Sequence, residues 1–247
     1  MVENILKILI FIPTYNEKDN VIPIYDAIRG LNKAVDILFL DDNSPDGTGK
    51  IIDQLSKKDN KVFTIHRTGK LGLGTAHKEG FKFAQKHDYD FLLTMDADFT
   101  HDPKYIPELL AQKDNYDIVI GSRYTEKADM SSWSISRKFV TYTAHFLTKY
   151  GLGMPFDCTG AFRLYNKKMI KKLNEVAYKI GSKGFSFMFE SLFYLKQAGA
   201  KIGEVPITAF ERIRGDTKIS QQEMINGFLT MIKLIFKRFF GFCCCKK

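Results

Sequence analysis

No run of about 18 uncharged apolar residues occurs in this 247-residue sequence, so a conventional membrane span is not expected. The opening residues, Met1-Val-Glu-Asn, lack the basic start of a secretory signal, and 5–13 reads as a strand. Cysteines are few: Cys158 and the adjacent Cys243, Cys244 and Cys245. Neighbouring cysteines make poor structural disulfides, and no CxxC or Cys/His spacing suggests zinc. A reducing compartment is the expectation. Walker and Rossmann glycine spacings are both missing. There is no internal repeat, linker or low-complexity tract. Acids almost vanish at the C-terminus. In 221–247 only Glu223 opposes Lys233, Lys237, Arg238, Lys246 and Lys247, leaving +4 of the chain's +9 in about a ninth of its length.

What is present suits a globular chain. Hydrophobic residues make up 45% and charged residues 26%, which excludes disorder as the main state. The length fits one full-sized domain with or without an appendage. A positive excess suits nucleic acid, an anionic membrane or a phosphate-bearing substrate. Apolar runs at 7–13, 35–41, 90–95 and 116–121 read as strands buried on both faces, as in a parallel sheet. Helix-like segments at 20–31, 47–57 and 75–86 lie between them, which predicts an α/β doubly wound sheet. The second half offers helices at 138–150 and 187–197 and a short strand at 202–207. Ligands of such sheets bind at the carboxyl ends of strands. Here these ends are polar: Thr14-Tyr-Asn-Glu17, Asp41-Asp-Asn-Ser44, Asp96-Ala-Asp98 and Ser122-Arg123.

Asp96-Ala-Asp98 directly follows an apolar run. Extended alternation would put both carboxylates on one side and Ala97 opposite. Converging carboxylates repel unless a cation joins them, and hard oxygen ligands suit Mg²⁺ or Mn²⁺ with substrate phosphates. The bland alternative is a solvated strand-end turn. Leu71-Gly-Leu-Gly-Thr-Ala76, after Arg67 and Lys70, reads either as a phosphate-approaching loop or as glycines closing a turn before a helix.

Taken in order, these pieces resemble the family-2 inverting glycosyltransferases of GT-A fold, and among them the dolichol-phosphate (polyprenyl-phosphate) mannosyltransferases. The motifs are Ile12-Pro-Thr-Tyr-Asn-Glu17, Leu40-Asp-Asp-Asn-Ser-Pro-Asp-Gly-Thr48, Arg67-Thr-Gly-Lys-Leu-Gly-Leu-Gly-Thr-Ala76 and Met95-Asp-Ala-Asp-Phe-Thr-His-Asp-Pro103. Gly121-Ser-Arg-Tyr124, Trp133 with Arg137, Asp157-Cys-Thr-Gly-Ala-Phe-Arg163, Gly184-Phe-Ser-Phe-Met-Phe-Glu190 and Val205-Pro206 with Arg212, Gly215 and Lys218 follow. The likeness covers about 5–220.

The resemblance implies a Rossmann-like, mainly parallel sheet flanked by helices, ending in a C-terminal amphipathic helix. It implies a catalytic domain over 1–220 and a tail over 221–247. It implies transfer of mannose from GDP-mannose to dolichyl or polyprenyl phosphate, with inversion. Pro13, Tyr15, Glu17, Asp42, Lys70 and Ala97 would bind the nucleotide sugar. Asp96 and Asp98, aided by Thr100, would hold Mg²⁺ or Mn²⁺. Arg123, Arg137, Arg212 and Lys218 would gather the donor diphosphate and acceptor phosphate, with Thr141 at the acceptor. His145 stands where the family commonly has Asn. Arg163 is read as a structural partner of Asp157, Glu190 as orienting an arginine, His101 and Pro103 as shaping the loop after the acids, and Phe185, Phe187 and Phe189 as core.

Residues 221–242 read as a basic amphipathic helix. Glu223, Asn226, Thr230, Lys233 and Lys237 form a narrow polar stripe amid apolar residues, which suits a membrane interface. The alternative is packing on the domain or on a membrane subunit; some short relatives depend on one. Lys and Arg would favour anionic lipid, and acylation of Cys243, Cys244 and Cys245 would add an anchor. The expected location is the cytosolic face of a membrane: endoplasmic reticulum in a eukaryote, plasma membrane in a prokaryote. The competing readings are transfer from UDP-glucose to polyprenyl phosphate and a non-catalytic nucleotide-sugar-binding adaptor. Nucleic acid is not an expected partner, because no matching motif accompanies the charge.

Overall fold

A computed structural model describes residues 6–31, 33–210 and 220–240. Arg212, Gly215, Thr217, Lys218 and the three terminal cysteines lie outside the described residues. Seven strands form one sheet: β1 (Ile8–Thr14), β2 (Asp36–Asp41), β3 (Val62–His66), β4 (Phe91–Thr94), β5 (Ile118–Ser122), β6 (Arg163–Asn166) and β7 (Ile202–Pro206). Their order across the sheet is β3-β2-β1-β4-β6-β5-β7. All pairings are parallel except those of β6, which runs antiparallel between β4 and β5. The helices are α1 (Lys18–Leu31), α2 (Thr48–Lys58), α3 (Leu73–Lys86), α4 (Ile106–Ala111), α5 (Ile135–Phe146), α6 (Lys167–Val176), α7 (Phe187–Gln197) and α8 (Gln221–Phe240).

Strand alternation divides the core. Ile10, Ile12, Ile37 and Phe39 face the layer of α1, α2 and α4, while Leu9, Phe11, Leu38 and Leu40 face α3, α6 and α7. Burial on both faces is why these strands read as continuous apolar runs. Gly80 of α3 lets that helix approach β1: a Cβ there would sit 2.8 Å from the Phe11 ring. Helix α7 is apolar nearly all round, and Phe187–Leu195 are all buried, Phe187 and Phe189 among them.

The sequence reading omits β3, β6, α4 and α6. β6 is four residues and begins with Arg163, so it gives no apolar run. α6 has a legible start, because the Asn166 side chain accepts from Met169 N at 2.9 Å. α8 begins with a capping box: Glu223 N donates to Ser220 Oγ (3.2 Å) and Ser220 N to Glu223 Oε2 (3.4 Å).

Register sets the working edge. Thr14 pairs with Asp41 and Asp41 with His66, so β1, β2 and β3 end level. β4 ends lower, with Thr94 opposite Phe11. Because β6 runs backwards, its first residue Arg163 lies beside Thr94 and Ile120, so the loop before it opens on the same edge.

Candidate active site

The β1–β3 corner collects the residues expected to bind a nucleoside. The Lys70 ammonium lies 4.9 Å from the Tyr15 ring centroid, a cation–π distance. Glu17 is buried and accepts from Asn20 Nδ2 at 2.6 Å. Thr48 Oγ1 accepts from Glu17 N at 2.9 Å, tying the start of α1 to that of α2. Asp42 is buried against the Arg67 guanidinium. Burial pushes the Asp42 carboxyl up, and Arg67 partly offsets it. Arg67 also donates to Thr75 Oγ1 (2.6 Å) and Gly72 O (3.3 Å). It therefore joins the second strand end to the glycine loop. Gly72 has φ +98°, and a Cβ there would come within 2.5 Å of Lys183 O, so only glycine fits.

The acidic pair follows β4. β4 stops at Thr94, so the two acids sit in the segment after the strand, and the backbone turns just beyond them at Phe99, which has φ +60°. Asp96 remains partly exposed, while Asp98 and Ala97 are each 2% exposed. Asp98 Oδ1 accepts from Thr100 N (3.0 Å) and Thr100 Oγ1 (2.6 Å). Thr100 thus fixes the Asp98 carboxylate. His101 Nδ1 accepts from Asp96 N at 3.1 Å, and the ring stacks on Phe162 at 5.4 Å. With Nδ1 accepting, its 3.5 Å approach to Asp96 Oδ2 is not an ion pair.

Among the described residues no group of three or more His, Cys, Asp or Glu could hold a metal. The available donors are the two carboxylates and the Thr100 hydroxyl. That all-oxygen set fits a hard cation completed by substrate phosphates and water.

Arg123 and Asp157 form a buried ion pair. Nε and Nη2 each lie 2.7 Å from an Asp157 oxygen, a two-point fork. Nη2 also donates to Thr159 Oγ1 at 2.6 Å. Burial would raise the Asp157 pKa, but the guanidinium overrides it and holds it down to about 2. Burial likewise opposes the Arg123 charge, and Asp157 more than compensates, so its pKa rises. Beside this pair opens a pocket of about 430 Å³, lined by Arg123, Lys138, Tyr142 and His145 among others. His145 stacks on Tyr124 at 3.8 Å, and burial lowers its pKa. Arg137 stacks on Trp133 at 3.9 Å. The Thr141 carbonyl accepts from Tyr124 OH at 3.1 Å.

Two sequence expectations are corrected. Asp157 pairs with Arg123, not Arg163; Arg163 is fully buried and donates to Met188 O (2.8 Å) and Cys158 O (2.7 Å). Among the described residues Glu190 accepts from Gly181 N (3.2 Å) and Ser182 N (2.9 Å), holding the loop that packs on Gly72 and Gly74. Arg238, counted among cations for lipid, donates to Tyr150 O (3.1 Å) and Gly151 O (2.9 Å), and Lys237 donates to Tyr194 OH (2.9 Å). A polar stripe does not reveal which side of a helix meets the domain. α8 packs through Met231 and Leu234 and leaves Phe228, Leu229, Phe236 and Phe239 exposed.

The chain is similar to several known proteins. The chain is 37% identical over 216 residues to undecaprenyl-phosphate mannosyltransferase of Micrococcus luteus, covering 87% of this chain and 88% of that protein. It is 36% identical over 215 residues to polyprenol monophosphomannose synthase of Mycolicibacterium smegmatis, covering 86% and 80%. Its fold matches a glucosyl-3-phosphoglycerate synthase from Mycobacterium tuberculosis, solved with Mn²⁺, uridine diphosphate and glucosyl-3-phosphoglycerate. That match has TM-score 0.65 and 16% identity over 94% of this chain and 80% of that one. Residues 9–174 match the family described as Glycosyl transferase family 2. The chain belongs to that family and is a glycosyltransferase of GT-A fold.

Proposed function

We propose that this enzyme transfers mannose from GDP-mannose to a polyprenyl phosphate such as dolichyl phosphate, with inversion, at the cytosolic face of a membrane. The observation that carries the reading is an acidic strand end, Asp96–Asp98, together with a polar pocket lined by Arg123, Lys138 and Asp129, in a chain 37% identical to a protein named undecaprenyl-phosphate mannosyltransferase.

In this reading Pro13, Tyr15, Glu17, Asp42, Lys70 and Ala97 seat the nucleoside. Asp96 and Asp98 hold Mg²⁺ or Mn²⁺, and Thr100 keeps Asp98 in place through its 2.6 Å bond. When bound, the metal stabilises negative charge on the departing diphosphate. Arg123 contributes fixed positive charge without reorganising, because Asp157 already orients it. Arg137, with Arg212 and Lys218 from outside the described residues, draws the donor and acceptor phosphates together, and positioning supplies much of the rate. Thr141 adds a hydroxyl at the acceptor. A phosphate monoester has a second pKa near about 6, so the acceptor is largely ionised at neutral pH and needs no strong base. Burial lowers the His145 pKa, and the reaction does not require it as a base. A single displacement yields a β-linked product.

The division into a catalytic domain over 1–220 and a membrane-contact tail over 221–247 belongs to the same proposal. Phe228, Leu229, Phe236 and Phe239 of α8, exposed to solvent, would enter the interface. Acylation of the terminal cysteines would supply a second anchoring signal.

The test is radiolabelled transfer from GDP-mannose and from UDP-glucose onto the same polyprenyl phosphate, with Mn²⁺, Mg²⁺ or a chelator. Metal-dependent labelling from GDP-mannose alone is expected. Labelling from UDP-glucose alone would move the donor assignment, and none from either would favour the adaptor.

A further inference from the structure

The chain has one tryptophan, and it stands between two arginines of the site. Trp133 is 5% exposed and packs with Met130, Ala209 and Tyr124, which fixes its indole in place. The Arg137 guanidinium lies 3.9 Å from the ring centroid and that of Arg123 lies 5.4 Å from it. Both distances fall in the cation–π range.

Local structure explains the geometry. Trp133 immediately precedes Ser134, whose Oγ accepts from Arg137 N at 3.4 Å and caps α5. The cap turns the chain into the helix, and the side chain four positions on comes over the indole. No residue of α5 is buried, whereas Trp133 is, so it seats the helix start on the domain.

The two arginines are held by different means. Asp157 grips Arg123 by its edge and opposes its charge. A ring against the face of Arg137 steadies it without cancelling its charge, and a face contact leaves the edge of a guanidinium to oxyanions. Phenylalanine would fill the same place with no donor to satisfy, since the indole Nε1–H is buried with no hydrogen-bond partner among the described residues. Tryptophan adds the strongest cation-binding face of the aromatic side chains.

We propose that Trp133 is a positioning residue: its ring is the platform that sets Arg137 against Arg123, so that both cations converge on the phosphates of the reaction. This rests on the proposed transfer to a phosphate acceptor. The negative π face offsets repulsion between two like charges held close together. Positive charge is thereby kept at Arg137, where an ionised acceptor phosphate needs it.

The lone tryptophan is its own reporter. The experiment titrates Trp133 emission in the full chain with geranyl phosphate, which does not absorb in the tryptophan band, and with geraniol as the uncharged control. Geranyl phosphate should change the emission saturably and geraniol should not; Arg137→Met should abolish the response. In transfer assays Trp133→Tyr and Trp133→Phe should keep kcat/KM for the acceptor within about threefold of wild type, while Trp133→Leu should lose about tenfold, the scale of one desolvated cation–π contact. That loss should appear as a higher KM for the acceptor. Phe and Leu both leave a cavity, so a purely structural role predicts losses that follow melting temperature and not the ring. Emission that ignores geranyl phosphate, or answers geraniol equally, would overturn the proposal. So would a Leu variant as active as the Phe variant, or activity that tracks melting temperature alone. Should the Leu variant fail to fold, the titration and Arg137→Met still decide. If wild type transfers no sugar but its emission answers geranyl phosphate through Arg137, the transferase reading fails and the platform stands.

Discussion

At the β1–β3 corner charged groups are already engaged by the protein: Asp42 by Arg67, Glu17 by Asn20, Lys70 by the Tyr15 ring. Across the site, on α5 and α8, large apolar side chains stand in solvent. The first region looks finished. Its polar groups are oriented before any ligand arrives, which spares reorganisation during transfer. The second region looks incomplete, since an extended apolar surface of this kind marks an interaction site. In the proposed function the rigid corner would meet the nucleotide sugar and the open face the lipid. Arg123–Asp157 sits between them.

The comparison can be broken most forcefully at the acids. Asp98→Asn should lower sugar transfer by about 100-fold or more while leaving vesicle flotation unchanged, because an amide holds a cation poorly and electrostatic stabilisation is a large term. Initial rates at saturating metal check this.

Next in size is Asp157→Asn. It leaves the buried Arg123 charge without its ion-pair partner, and breaking such a pair costs about 3–5 kcal/mol. Thermal or urea unfolding reads it. The pH signature follows in sign. The folded Asp157 pKa, about 2, lies below an unfolded value of about 3.9. Its contribution is therefore complete above about pH 4 and lost as pH falls toward 2, so wild type should lose stability over that range faster than Asp157→Asn.

Gly80→Ala should destabilise by about 1 kcal/mol: overpacking against Phe11 costs about 1–3 kcal/mol and outweighs a helix-propensity gain of about 1. Phe236→Ser, on the open face, should change folding stability by less than about 0.5 kcal/mol. A large loss there would mean that face is core.

The nucleotide side was legible because its chemistry is local. Asp41-Asp42, the glycine loop and Asp96-Ala-Asp98 each follow a strand directly, and strand ends converge in this sheet class. Partnerships across the fold were not legible. Arg123 and Asp157 are 34 positions apart, and nothing in the sequence favours Arg123 over Arg163 as the partner. Arg163 enters the core on carbonyl acceptors, which leave no trace in a pattern of side chains. The open side of α5 was hidden for a related reason. An apolar stripe announces a face, and only the packing tells whether protein covers it.

The central claim is inverting transfer of mannose to a lipid phosphate. Its most direct test is the anomeric configuration of the product made by purified enzyme from GDP-α-mannose and polyprenyl phosphate, read by NMR. A β-linked mannosyl phosphate is the expected result. An α-linked product, or no mannosyl lipid with either metal, would contradict the account.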